Sequence, residues 1–195
     1  MAIAWEFIII TEEVISVETL VQLSSDFNEA VAFKSIASID DWNWSNQQHL
    51  KDIYEINSKL EEKKIIVVEM ESILWQSIGM YIEYIETEGL YSYTFWINAE
   101  NHPELDVDKI TDSNKRYYDY AFFILGKIIK KYNLSLYAIA IGLESNIKYE
   151  STIDKMIQNS HNVIVWIVNY KDGTLKLTGS NTNVIELKAI EYGQM

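Results

Sequence analysis

Apolar positions along the chain follow two rhythms, and the first is short and β-like. Trp5 to Ile10 is a compact β-rich run that carries Glu6 in its interior, and it predicts a buried strand. From Ser16 to about Phe33 the rhythm changes: Val17, Leu20, Val21, Phe27, Ala30 and Val31 recur at near-helical spacing and predict a helix. A second helix is predicted from about Asn46 to Glu62. Ser45 and Gln48 fit a capping box at its start, Leu50, Ile53, Tyr54 and Leu60 share one face, and Glu55 stands four residues before Lys59. KKIIVVEME, Lys63 to Glu71, is β-branched and uncapped, and predicts a strand entering the core.

The clearest hairpin runs from Met80 to Asn98, with Glu88-Gly89 as its turn. A two-residue loop there pairs Tyr84 with Tyr93, Ile82 with Phe95, Glu83 with Thr94 and Tyr81 with Trp96. One face then carries Ile82, Tyr84, Tyr91, Tyr93 and Phe95, and the other carries Tyr81, Glu83, Ser92, Thr94 and Trp96. The second of these is the face expected to be exposed. A long helix is predicted from about Ser113 to Tyr132, with acids near its start and Lys127, Lys130 and Lys131 near its end, as the helix dipole favours. Its apolar residues, including Tyr117, Phe122, Leu125 and Ile129, surround nearly the whole helix, so most of its surface must be buried. Asn133 is a left-handed cap candidate, and LSLYAIAIG follows as a strand covered on both faces. Strand, helix and strand make a crossover unit. A short helix over Ser151 to Gln158, strands over His161 to Tyr170 and Thr174 to Leu177 joined at Asp172-Gly173, and an edge strand over Val184 to Ile190 complete the reading.

This pattern predicts an α+β fold: a single domain over residues 1–195, with a mixed β-sheet of about six to eight strands and two or three packed helices. A 195-residue chain that is 48% hydrophobic can bury one sizeable core, and the single proline, Pro103, leaves no linker-like stretch. The N-terminus lacks a basic leader, no window reaches the roughly 20 apolar residues of a membrane helix, and cysteine is absent. A cytoplasmic location is the expectation.

Charge adds what periodicity cannot. Residues 1–110 hold 21 Asp/Glu against 6 Lys, whereas residues 111–195 are close to balanced, and the chain as a whole carries a formal charge of -13. Arg116 is the only arginine. Such a surface repels phosphate backbones and anionic lipid, so neither nucleic acid nor membrane is an expected partner. Negative charge also serves plain solubility, and the sharper reading is a basic partner.

Catalytic markers do not emerge. His49, His102 and His161 are scattered, and the seven glycines form no phosphate cradle or nucleophile elbow. His102, Glu104, Asp106 and Asp108 alternate in a polar loop but lack the turn glycine of a calcium loop, and they read as an acidic lead-in to a helix. No catalytic residue, metal or cofactor is assigned. In "SIDDWNWSNQQHL", residues 38–50, Trp44 precedes the Ser45 cap and reads as part of the helix start. Trp42, among Asp40, Asp41 and Asn43, is either tucked against the core or left outside as an anchor, the role in which tryptophan excels at interfaces.

An acidic, cysteine-free, aromatic-rich chain of this size resembles, in composition and size across its whole length, the immunity proteins with which bacteria neutralise secreted toxins. That resemblance implies an inhibitor that binds and occludes a basic toxin or enzyme. The interface is expected at Asp40, Asp41 and Trp42 together with the outer hairpin face at Tyr81, Glu83 and Trp96. Two alternatives stand beside it: a hydrolase or transferase whose carboxylates converge only on folding, and an oligomeric assembly subunit using the greasy helix.

Overall fold

The computed structural model describes residues 4–16, 31–52, 55–72, 76–107, 109–120, 123, 136–169 and 175–179. In chain order the strands are β1 (Ala4–Thr11), β2 (Val31–Ile39), β3 (Gln48–His49), β4 (Ile65–Ser72), β5 (Gln76–Ile85), β6 (Leu90–Asn98), β7 (Leu136–Asn146), β8 (His161–Asn169) and β9 (Leu175–Gly179). The helices are α1 (Glu55–Glu61), α2, helical at 115–120 and again at 123, and α3 (Ile153–Asn159). Two 3-10 turns, Ala99–Asn101 and Pro103–Leu105, follow β6.

All nine strands join one sheet in the order β3-β2-β4-β5-β6-β1-β7-β8-β9. The α+β class is therefore the observed one, with eight full strands and the two-residue β3. Every described ladder is antiparallel rather than mixed. The crossover expected between β6 and β7 explains this difference. Those two strands do run parallel, but β1 lies between them and pairs antiparallel with both, so no parallel ladder forms.

Alternation along each strand builds two cores. On one face Trp5, Phe7 and Ile9 of β1 meet Met80 and Ile82 of β5, Tyr93, Phe95 and Ile97 of β6, and Ile139 and Ile141 of β7. Ile56 and Leu60 of α1 and Tyr117, Tyr118 and Tyr120 of α2 cover them. Phe7 and Phe95, direct cross-strand partners, stack with centroids 4.4 Å apart and planes 7° from parallel. On the other face Ile8 and Ile10 of β1, Ala138 and Ala140 of β7, and Trp166 and Val168 of β8 pack under Met156 of α3. The β7 strand is thus covered on both sides, as its continuous apolar run requires.

Several local expectations change. Val31 to Phe33, placed at the end of a helix, belong to β2, because β2 pairs along β4 from Val31 to Ile39. The helix expected from Asn46 starts at Glu55, because Trp44 and Asn46 have φ of 61° and 51° and Gln48 and His49 pair with Ser38 and Ala37. Ser45 is therefore no helix cap. Glu55 accepts a hydrogen bond from the Lys51 backbone N-H, and Lys59 pairs with Glu62 instead of Glu55. The hairpin register is two residues from the expected one: a four-residue loop, 86–89, closes on Ile85 opposite Leu90, with Gly89 at φ 67°. Residues 17–30, Asp108, Phe122, Leu125, Ile129, Asn133, the Asp172-Gly173 turn and the strand expected over 184–190 lie outside the described residues.

Candidate functional site

Among the described residues the second face of the sheet is only partly roofed. Beyond α3 lies an open cleft of about 660 Å³, lined by Glu6, Ile8, Trp42, Tyr81, Glu83, Ile85, Thr94, Glu144, Ser145, Asn146, Ile147 and Tyr149. Its floor follows from strand pairing. Tyr81 of β5, Thr94 of β6 and Ile8 of β1 form one row across the sheet, and Glu6 and Glu83 lie one alternation away along their strands on opposite sides of it.

One wall is the end of β7. The ladder between β7 and β8 shifts register at Gly142 and again before Asn146, so the intervening residues bulge out of the sheet, with Glu144 at φ 44°. Gly142 permits this close packing: a Cβ there would meet the Asn162 carbonyl oxygen at 2.0 Å. The bulge frees the Ser145 N-H, which donates to the Glu6 carboxylate at 2.7 Å. Burial, opposed by that hydrogen bond and reinforced by the charge of Glu144, raises the Glu6 pKa from 4.5 to about 7.

The opposite wall is the turn between β2 and β3. The Asp40 carboxylate accepts from Asn46 Nδ2 at 2.8 Å and from Lys64 Nζ at 2.7 Å, and these two bonds hold it below the usual carboxylate range. Asp41 Oδ1 accepts from the Asn43 N-H at 2.8 Å, and the Asp41 carbonyl accepts from the Trp44 N-H at 3.0 Å. Non-glycine residues rarely adopt positive φ, so this network is what holds Trp44 and Asn46 there. The result is a tied turn with Trp42 52% and Trp44 45% exposed. Trp44 does not launch a helix, and Trp42 takes the exposed alternative at the cleft rim.

Trp42 rests edge-on against Tyr81 at 5.1 Å, and Tyr81 stacks on Trp96 at 6.0 Å with planes 22° apart. Trp96 lies across Gly79, its direct cross-strand partner, so close that a Cβ on Gly79 would fall 1.8 Å from Trp96 Cε2. Glu83 accepts hydrogen bonds from the side chains of Trp42 and Tyr149, yet burial outweighs them and raises its pKa. The Tyr149 hydroxyl lies 2.8 Å from Ser92 Oγ, and burial together with the Glu83 charge raises its pKa well above that of a free phenol.

Of the six residues expected at an interface, the fold brings Trp42, Tyr81 and Glu83 to the cleft, sets Trp96 behind Tyr81 as its support, and uses Asp40 and Asp41 to build the turn. Glu6, Glu144 and Tyr149 were not anticipated. Only Glu6 left a signal, as a charged residue inside an apolar strand. The polar loop before α2 forms a separate cluster: buried His102 and Glu104 both reach the Tyr117 hydroxyl, at 2.7 and 2.9 Å, and Arg116 pairs with Glu104 at 2.8 Å. Burial pushes the Tyr117 pKa up to about 12. Among the described residues no group of His, Asp and Glu is arranged to hold a metal. Compared with family models, curated proteins and solved structures, the chain finds no match.

Proposed function

We propose that the protein captures a basic protein partner in this cleft and acts as an immunity-type inhibitor that occludes a toxin or enzyme. The observation that carries the reading is the lining itself: among the described residues three glutamates and three aromatic residues line the cleft with no lysine or arginine, and an exposed tryptophan stands at the rim. Acids of this kind steer a basic partner into contact, and a tryptophan supplies desolvated area that slows its departure. Asp40 is tied to Lys64 and Asn46, so the steering charge falls to the cleft glutamates, of which Glu6 is about half ionised at pH 7, rather than to the Asp-Asp pair. Among the described residues no helix is long and apolar enough to cross a membrane.

The test begins with a partner purified from the source cells and reconstituted with the chain from pure components. Surface plasmon resonance should then show faster dissociation for Trp42→Ala, and slower, less salt-dependent association for Glu83→Gln combined with Glu144→Gln. Unchanged rates in variants that keep their circular dichroism spectrum would reject the reading. A second reading, a hydrolase with carboxylates assembled from distant positions, is favoured by one observation, the Glu6 carboxyl that titrates at about 7 with the Glu144 charge acting on it. Turnover of a glycoside or ester substrate that disappears in Glu6→Gln would select it.

A further inference from the structure

We propose that the group the cleft receives is an arginine side chain of the partner, with its guanidinium plane against the exposed Trp42 ring and its N-H groups donating to the carboxylates that line the cleft, those of Glu6, Glu83 and Glu144. This deepens the protein-capture reading and rests on it. Size comes first: about 660 Å³ falls within the range of pockets that enclose a small ligand, and it exceeds what a metal ion or a single water would need.

Chemistry of the walls comes second. Aromatic faces attract cations, and Trp42 keeps half its surface uncovered beside Tyr81, whose other face is already occupied by Trp96. Each carboxylate offers about four lone-pair directions. Glu6 uses one on the Ser145 N-H, and Glu83 uses its share on Trp42 and Tyr149, so acceptor capacity is left facing the cleft. These acids come from β1, β5 and the β7 bulge, and among the described residues no lysine or arginine lines the space between them. An arriving cation therefore meets acids that are already partly desolvated and, among the described residues, lack a lysine or arginine counter-charge in the cleft lining.

Preorganisation is the third argument. The turn carrying Trp42 is tied at Asp40 and Asp41 and holds two non-glycine residues at positive φ, so the rim tryptophan is set in place before a partner arrives. Arginine matches this arrangement better than lysine. A planar guanidinium can stack and donate to several carboxylates at once, whereas an ammonium is a compact, strongly hydrated point charge with no plane to stack.

Three capped tripeptides read this directly on the full chain: acetyl-Gly-Arg-Gly-amide, its lysine analogue, and its citrulline analogue, which keeps the shape and removes the charge. The Trp42 indole N-H, followed by NMR, should shift saturably with the arginine peptide. Lysine should bind about tenfold more weakly, the equivalent of one charge-assisted contact. Citrulline should leave the resonance in place. Glu144 is exposed, so Glu144→Gln should fold normally and weaken arginine binding several-fold, and Glu6→Gln should do the same. Citrulline binding as tightly as arginine, or arginine binding indifferent to both substitutions, would overturn the proposal. If the peptide fails while partner dissociation still responds to Trp42→Ala, the arginine assignment alone falls. If the peptide binds and no partner complex responds to Trp42→Ala, protein capture falls and the guanidinium site stands.

Discussion

Glu6 sits in the middle of the sheet between Trp96 of β6 and Gly142 of β7, and its carboxyl titrates at about 7 instead of 4.5. The folded protein thus holds a proton there that the unfolded chain has already released, and the sign of the consequence follows from that difference. Below pH 4.5 both states are protonated and the folded state keeps its full advantage. As pH rises from 4.5 to about 7 the advantage is lost, and above 7 the loss is complete. At about 1.4 kcal/mol per pH unit the limit is roughly 3 kcal/mol, and about 2 kcal/mol of it falls between pH 5 and pH 8 once residual solvent contact is allowed for. Glu6→Gln removes the titration and keeps a carbonyl oxygen to accept the Ser145 N-H.

Urea unfolding of the wild type and of Glu6→Gln at pH 5 and pH 8 isolates this contribution, since every other titrating group is common to both. The variant should gain stability relative to the wild type by about 2 kcal/mol on going from pH 5 to pH 8. Parallel pH profiles, agreeing to within roughly 0.5 kcal/mol, would mean that Glu6 reaches water in the folded state, and the desolvated character argued for the cleft would fail with it.

Two further substitutions probe what supports the cleft. Gly79→Ala puts a methyl group where the Trp96 indole lies, and it should destabilise by about 1 to 3 kcal/mol and alter the near-ultraviolet circular dichroism of the Tyr81–Trp96 stack; an unchanged spectrum and melting point would show that Trp96 does not depend on that glycine. Tyr93→Phe deletes the hydroxyl that accepts the buried Ile15 N-H at 2.7 Å, and urea unfolding should register a loss of about 1 to 3 kcal/mol, whereas a neutral result would mean that the amide finds another acceptor.

Much of the fold was legible in the sequence where a single rhythm ran unbroken. Trp5 to Ile10, Lys63 to Glu71, the two arms of the hairpin and the run ending in AIAIG are strands in the structure close to where their patterns placed them. The β2 strand was not legible, because its ladder slips between Phe33 and Ser35 and leaves Lys34 as an extra residue that breaks the alternation. The helix start at Ser45 failed for a related reason. The same Ser, Asn and Asp side chains that cap helices also close turns, and here Asp40, Asp41 and Asn46 close one.

What the sequence determined by itself is which side chains share a face. The hairpin register is two residues from the one its Glu-Gly turn predicts, yet Tyr81, Glu83 and Trp96 still stand on one side and Ile82, Tyr84 and Tyr93 on the other, because side chains repeat every two residues and a shift of two preserves both faces. Local chemistry carries that information, so it survives an error in pairing. The tertiary structure alone decided what lies opposite those faces. Insertion of β1 between β6 and β7 set Glu6 on the same face as Glu83, and the β7 bulge brought Glu144 and the Ser145 N-H to Glu6. These neighbours are separated by up to 139 positions, and their meeting depends on strand order and ladder register, which no local periodicity encodes.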